Sequence, residues 1–442
     1  MARSRRYDNW TDAIFGLAPY LPTGPRLWAA RWAAARGLGA PALRAAPDDP
    51  QVLTRLGLHT QARATVGGGR RSALARAAAA AALGDLRQTR AVQATDGGLS
   101  ARVRRLLASS AAPHDARLAL ALLPRTDFAD RAACALAAGD LPLAQSLLAR
   151  ADGTQQSRYL AGALAAWRGD WRVARVLLDR AFAADGLSPP LAQDSDEATT
   201  LAAFADVRPP VGVEGPLVSV VMAAKDTVAT LDVAVDSLLA QTWLNLEVIV
   251  IDDRSSDATL KVAHGLAARD GRVRVLSNNH AAGAYGARNC GIDAARGAFI
   301  AFHDADDWAH PQRLERQMKV LGQDKGLTLC RHFRLDLAGR PLCPRVFPFV
   351  RLSPITALAR AEAFATLGGF DEAPVGADSE WLARFDTRFG RRAAPRTREV
   401  ALVAQWAPQS LSASATTGLI GEGLEARVAY VETWRRRQAG LG

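Results

Sequence analysis

The chain has 442 residues, enough for two or three domains that each bury their own core. It is 49% hydrophobic and 22% charged, and it contains no run of eighteen apolar residues, which argues against a membrane-spanning helix. The net charge of +11 is almost all arginine, with +8 on residues 1–215, +3 on residues 216–442 and four lysines in all. These arginines are interleaved with acids at helical spacing and accompany no nucleic-acid motif, so nucleic acid is not an expected partner. They leave room for peripheral attraction to an anionic membrane face at most.

Met1–Trp10 is basic but runs into polar residues and lacks the apolar core of a signal peptide. The expected location is therefore the cytoplasm, up to the inner face of the membrane. Cys134, Cys290, Cys330 and Cys343 show neither a pairing pattern nor zinc spacing and read as reduced thiols.

Residues 1–186 are rich in Ala and Leu and poor in strand-like runs, which predicts an all-α domain. One unit recurs in it. Ala138-Gly139-Asp140-Leu141 leads into Ala144, Leu147 and Leu148, and Arg168-Gly169-Asp170-Trp171 leads into Ala174, Leu177 and Leu178. Gly84-Asp85-Leu86 repeats it less cleanly. Each reads as a helix ended by Gly, a tight turn and a second amphipathic helix, the unit of a helical-hairpin solenoid. The pattern resembles tetratricopeptide repeats, with an irregular helical bundle as the alternative. Either form implies a structural module or one that docks a protein partner.

Residues 187–215, with Ser188-Pro189-Pro190, the acidic Asp194–Glu197 and Pro209-Pro210, read as a linker with a short helix near Ala198–Ala205. Residues 216–442 have a different texture. Strand-like runs at Leu217–Met222, Leu246–Ile251, Val273–Leu276 and Ala298–Phe302 alternate with helical stretches. That alternation predicts a mostly parallel sheet with helices on both faces. A helix is expected after His310-Pro311, then strands over Leu327–Leu337 and Leu342–Leu352 about a turn at Gly339-Arg340-Pro341. The tail from Gly421 reads as an amphipathic helix ending in Arg435-Arg436-Arg437, either solvated or touching an anionic surface.

Ligands of such sheets bind beyond the carboxyl ends of the strands. The first strand ends in Ala223-Ala224-Lys225-Asp226, the second in Asp252-Asp253-Arg254-Ser255-Ser256-Asp257, and the fourth in His303-Asp304-Ala305-Asp306-Asp307-Trp308. So many carboxylates at one edge repel unless a cation or hydrogen-bond donors sit among them. Their hard oxygens suit Mg2+ or Mn2+.

These segments, with Gln241-Thr242-Trp243, Ala287-Arg288-Asn289, Gly297–Ile300, Gly368-Gly369-Phe370-Asp371 and Ala377-Asp378-Ser379-Glu380-Trp381, resemble the family 2 inverting glycosyltransferases of the GT-A fold. The resemblance spans about Leu217 to Phe389. It implies a nucleotide-diphosphate sugar donor, a glycan, lipid-linked or protein acceptor, and a divalent metal, Mn2+ or Mg2+. By the same resemblance, Asp253 accepts from the base, and Ala223 and Asp226 line the nucleoside pocket. Asp304 and Asp306 form the metal motif, with Asp306 the direct ligand, and Asp378 is the general base, with Glu380 in reserve. Arg288 either faces the donor phosphates or serves its helix. Trp381 either stacks on a sugar or fills the core.

Two departures stand out. Lys225 occupies a place where an aromatic often stacks on the base, and Ala377 replaces an acid before Asp378. A nucleotidyltransferase would carry a glycine-rich basic loop after the first strand, which Ala223–Thr227 is not. A catalytically inactive sugar-binding scaffold organised by the helical repeats is the remaining alternative.

Overall fold

The structure is a computed structural model that describes residues 23–35, 39–66, 69–95, 98–191, 195–204, 212–421 and 423–441. The readings of Met1–Trp10 and of linker residues Asp194, Pro209 and Pro210 lie outside them. The chain divides into two compact units: the residues up to Pro124 together with those from Ser414 onward, and Arg125–Ala413.

The first unit is helical, and the helix Gly423–Ala439 belongs to it. Ala30, Ala33, Ala42, Leu43, Val52, Leu53, Leu56 and Ala439 pack as one core. Alanine favours helix and is small enough for helix axes to approach closely. Asp49 caps Pro50–Leu56 by accepting from the Gln51 and Val52 N–H groups. The tail arginines, expected at a helix end, are partly built into the unit. Arg436 donates to the Leu441 carbonyl and the Gln61 side chain. Arg435 lies over the Trp434 ring, and burial pulls its pKa down to about 10.

The second unit opens with the helices Phe128–Ala137, Leu141–Leu148, Gln155–Trp167 and Trp171–Ala184. The two Gly-Asp turns work as the sequence suggests. Gly139 and Gly169 have φ of 78° and 79°, a region that costs other residues strain. Asp140 and Asp170 then cap the next helix by accepting from the Leu143 and Val173 N–H groups. These hairpins share a compact unit with the sheet. Tyr159 and Phe182 both pack on Phe333, and Phe182 stacks on His310. The described part of the linker is also packed. The Thr199 hydroxyl donates to the Gly339 carbonyl at 2.6 Å, and Phe204 lies 5.0 Å from Trp308.

The sheet has ten strands: β1 (Val218–Ala224), β2 (Leu246–Asp252), β3 (Val273–Ser277), β4 (Phe299–Asp304), β5 (Asp307–Ala309), β6 (Leu327–Asp336), β7 (Pro341–Leu342), β8 (Arg351–Leu352), β9 (Leu358–Arg360) and β10 (Arg396–Trp406). Their order is β3-β2-β1-β4-β9-β6-β10-β5, with β7 and β8 beside β6. β3, β2, β1 and β4 are parallel; β9 is antiparallel to both its neighbours. The α/β class expected of a GT-A domain, behind an all-helical region, is thus the one adopted, parallel as far as β4 and mixed beyond it. The expected strand over 342–352 does not form. Only 341–342 and 351–352 pair with β6, because Pro344 and Pro348 lack the N–H a ladder requires.

β1 and β2 are buried on both faces, as parallel strands under crossover helices should be. Val220, Met222, Val248 and Val250 pack with Leu231, Val235 and Leu266. Ile249 and Ile251 pack with Ala287 and Cys290 on the opposite side.

Candidate active site

Because β1, β2 and β4 are parallel, their carboxyl ends form one edge. Register places Ala224 beside Asp252, and Ala223 between Ile251 and Asp304. Side chains expected to bind the donor therefore start from one line of backbone.

Asp253 is buried just past β2. Its carboxylate accepts from the Asn278 amide at 2.6 Å and the Gly283 N–H at 2.8 Å, and its own N–H donates to the Ala224 carbonyl. Asn278 follows β3 and was not singled out from the sequence, although its place at a strand end was the available signal. Asp226 has a φ of 51° and is exposed. It accepts from the Ser256 N–H and hydroxyl and from the Asp257 N–H, and these bonds hold its carboxyl below the usual range. Asp226 thereby fastens the loop after β1 to the loop after β2.

The helix Ala284–Ala294 starts beside Asp253 and carries Arg288. Two glycines set its position. A Cβ on Gly286 would come within 2.0 Å of the Ala281 carbonyl oxygen, and one on Gly291 within 2.3 Å of Val221. Arg288 is buried and donates to Asp304 at 2.7 Å, with its guanidinium 5.0 Å from the centre of the Tyr285 ring. Burial opposes its charge, but Asp304, Tyr285 and Asp378 together hold it protonated above its ordinary range. Asp378, some ninety residues along the chain, thus acts on the same guanidinium as Asp304.

Asp304 ends β4, and the next residues turn sharply into β5. The Ala305 carbonyl in this turn accepts from the Thr230 hydroxyl at 2.9 Å. Asp306 is half-buried. Burial, then the charge of Asp304, pushes its carboxyl up to about 7 against the opposing pull of Arg334 and Arg288. Asp307 is fully buried; burial and its acidic neighbours raise it well above the carboxylate range, and it accepts from the Gln405 N–H at 3.1 Å.

Asp378 lies in the first turn of the helix Ala377–Phe389, which the chain enters through Gly376 at φ 74°. It is half-exposed and accepts from the Ser379 N–H. Glu380 faces elsewhere. Both its oxygens accept from Arg384, which also donates to the Leu367 and Gly369 carbonyls. Glu380 therefore holds the glycine turn, whereas Asp378 is half-exposed. Trp381 is core: it stacks on Phe364 at 4.4 Å and donates to the Gly368 carbonyl. Asn289 ties this segment to the Arg288 helix through both backbone groups of Phe370. His310 is also structural, accepting from the Gln312 N–H.

Among the described residues, no group of three or more His, Cys, Asp or Glu side chains could hold a metal ion. Asp304 and Asp306 form a narrower donor set. Mg2+ and Mn2+ suit one or two carboxylates and complete their shell with water and phosphate oxygens. Asp304 is already paired with Arg288. Asp306, with no basic group at ion-pair distance among the described residues, is the carboxylate a divalent cation would satisfy. The residues fit such an ion.

Comparison with known proteins gives similarity over this part of the chain. The UDP-Glc:alpha-D-GlcNAc-diphosphoundecaprenol beta-1,3-glucosyltransferase WfaP of Escherichia coli is 37% identical over 109 residues, 25% of this chain and 43% of that protein. The succinoglycan biosynthesis protein ExoO of Rhizobium meliloti (strain 1021) is 42% identical over 113 residues, 26% of this chain and 32% of that protein. The chain thus spans less than half the length of these curated relatives. Among solved structures, glucosyl-3-phosphoglycerate synthase from Mycobacterium tuberculosis, in complex with Mn2+, UDP and phosphoglyceric acid, aligns with a TM-score of 0.38 and 20% identity over 52% of this chain and 80% of that one. Residues 219–341, which contain Asp226, Asp253, Arg288, Asp304 and Asp306, match the family described as Glycosyl transferase family 2.

Proposed function

We propose that the chain transfers a sugar from a nucleotide-diphosphate donor to a hydroxyl acceptor, with inversion and with a divalent metal. The observation that carries this reading is the buried Arg288–Asp304 ion pair at the carboxyl edge of the parallel strands, in whose field Asp306 and Asp378 also lie. Asp253, held rigid by Asn278 and the Gly283 N–H, accepts from the nucleotide base. Ala223 and the loop fastened by Asp226 line the nucleoside.

Asp304 and Asp306 would hold Mg2+ or Mn2+, which when bound neutralises charge on the departing diphosphate as a Lewis acid. Arg288 fixes the orientation of Asp304 and keeps positive charge near the acids. Asp378 takes the proton of the acceptor hydroxyl as it attacks, a contribution of about 10²–10⁴-fold. Attack from the face opposite the leaving group inverts the anomeric centre, an inference from the family resemblance. The names of the Escherichia coli and Rhizobium meliloti relatives support surface polysaccharide or glycoconjugate synthesis as the setting.

The test is a panel of nucleotide sugars, each assayed for binding and for donor hydrolysis with and without Mn2+. At least one should bind in a metal-dependent way, and Asp306→Ala should abolish its turnover. If none is bound or turned over and Asp306→Ala matches wild type, the chain is a scaffold.

A further inference from the structure

The turn that carries Asp304 and Asp306 is fastened from behind. Side chains of a strand alternate between its faces, so on β4 His303 leaves the sheet on the face opposite Asp304. The two differ accordingly: the Asp304 side chain is 33% exposed, and His303 is buried. His303 meets Arg313, the first residue of the helix Arg313–Leu321, which is completely buried as well.

Three donors of the Arg313 guanidinium are engaged. Nη2 donates to the Phe302 carbonyl at 2.7 Å, Nη1 to His303 Nδ1 at 3.1 Å and Nε to Gln317 Oε1 at 3.1 Å. The Gln317 amide is oriented to accept because its nitrogen donates to the Thr356 carbonyl at 2.7 Å. Burial pulls the Arg313 pKa down, and Cys330, Asp307 and Asp304 oppose that pull.

These contacts fix the state of His303. A guanidinium only donates, so Nδ1 accepts and carries no hydrogen. Nε2 lies 3.2 Å from the Asp307 carbonyl, which only accepts, so Nε2 carries the hydrogen and donates it. His303 is therefore the neutral Nε2–H tautomer, assigned from its two neighbours.

The Arg313–His303 pair spans the acid motif. It grips the Phe302 carbonyl, ahead of Asp304, and the Asp307 carbonyl, just after Asp306. Thr230 holds the Ala305 carbonyl between them. The backbone beneath both acids is thus tied before, within and after the turn. Ties of this kind set the geometry of ligands before an ion arrives.

We propose that Arg313 and His303 are positioning residues for the metal site, which hold the turn so that the Asp304 and Asp306 carboxylates can share one divalent cation. This rests on the metal-dependent glycosyltransferase reading. Neither residue is a ligand; both act through the backbone of the turn.

The test follows Mn2+ binding to the full chain, without nucleotide, by the loss of the free-ion EPR signal. Wild type should bind Mn2+, and Asp306→Asn should not. His303→Phe keeps the bulk of the ring and deletes the donor to the Asp307 carbonyl, and it should weaken Mn2+ binding by about tenfold or more. His303→Gln sets an amide N–H near the place of Nε2 and should keep most of the wild-type affinity. A role in stability alone would lower the melting temperature of both variants without that split. In wild type at pH 7, 15N spectra of the histidines, assigned through the backbone, should show His303 with hydrogen on Nε2 and a bare Nδ1, whether or not His303→Phe folds. The proposal is overturned if folded His303→Phe binds Mn2+ as wild type does, if His303→Gln is as weak as His303→Phe, or if His303 carries its hydrogen on Nδ1. Wild type that binds no Mn2+, or Asp306→Asn that binds it unchanged, would sink the metal reading and the proposal with it.

Discussion

Arg288 shows how much one side chain determines here. Its exposure is 7% and it faces an acid pair that cannot both be comfortable without a cation. Arg288→Met should cost about 1–3 kcal/mol, the range for a charge-assisted hydrogen bond whose loss strands a partner. Combining it with Asp304→Asn should cost less than the sum of the two, because both variants remove the same contact. Thermal unfolding of the four proteins checks this, and strict additivity would refute the pairing. Asp378→Asn makes a complementary prediction. It should cut transfer by about 10²–10⁴ and leave donor affinity unchanged, as steady-state kinetics would show. Asp226, Asp253, Asp304 and Asp306 were legible in the sequence because strand-end position selects them, while Asp378 came from the family resemblance alone. Their partners were less so: Asn278 and Arg334 sit at strand ends of no recognisable motif, and Glu380, expected as a reserve base, is bound by Arg384 one helical turn on.

At the scale of elements, the β1–β4 half could be read from its buried apolar runs and intervening helices. The other half could not, because β7 and β8 are two residues each and depend on β6 for pairing. Arg396–Trp406 holds an apolar run, but its partners β6 and β5 lie far back in the chain. The loop after β3 makes a testable joint. His280 bridges Glu372 at 2.9 Å and Asp293 at 2.9 Å, while its carbonyl accepts from Arg254. Hydrogen bonds to Glu372 and then Asp293 raise the His280 pKa. A raised histidine stabilises the fold fully below its unfolded value near 6.5, and the contribution is lost as pH climbs through the folded value. Melting temperature should therefore fall more steeply from pH 6 to pH 9 in wild type than in His280→Gln. Parallel curves would refute the bridge.

On the scale of the whole molecule, composition places a change of texture near residue 186, whereas compactness divides the residues at 125 and 414. The difference arises because the hairpins over 128–184 look like the helices before them but pack their aromatic residues on β6. The helix Gly423–Ala439 meanwhile shares a unit with chain-distant helices. Glu432 accepts from the Thr60 N–H at 2.7 Å, and Ala439 lies in the same core as Leu43 and Leu53. A large polar side chain at Ala439 would have to enter a well-packed alanine core, where overpacking and an unpaired polar group each cost about 1–3 kcal/mol. Ala439→Gln should accordingly raise hydrogen exchange in the helices over 39–64 as well as in its own. The proposed donor-site residues, Asp253 and Asp304 among them, belong to the other unit, so the dissociation constant for UDP with Mn2+ should stay within twofold of wild type. Unchanged exchange over 39–64 would show that the last helix is not part of the core it is assigned to.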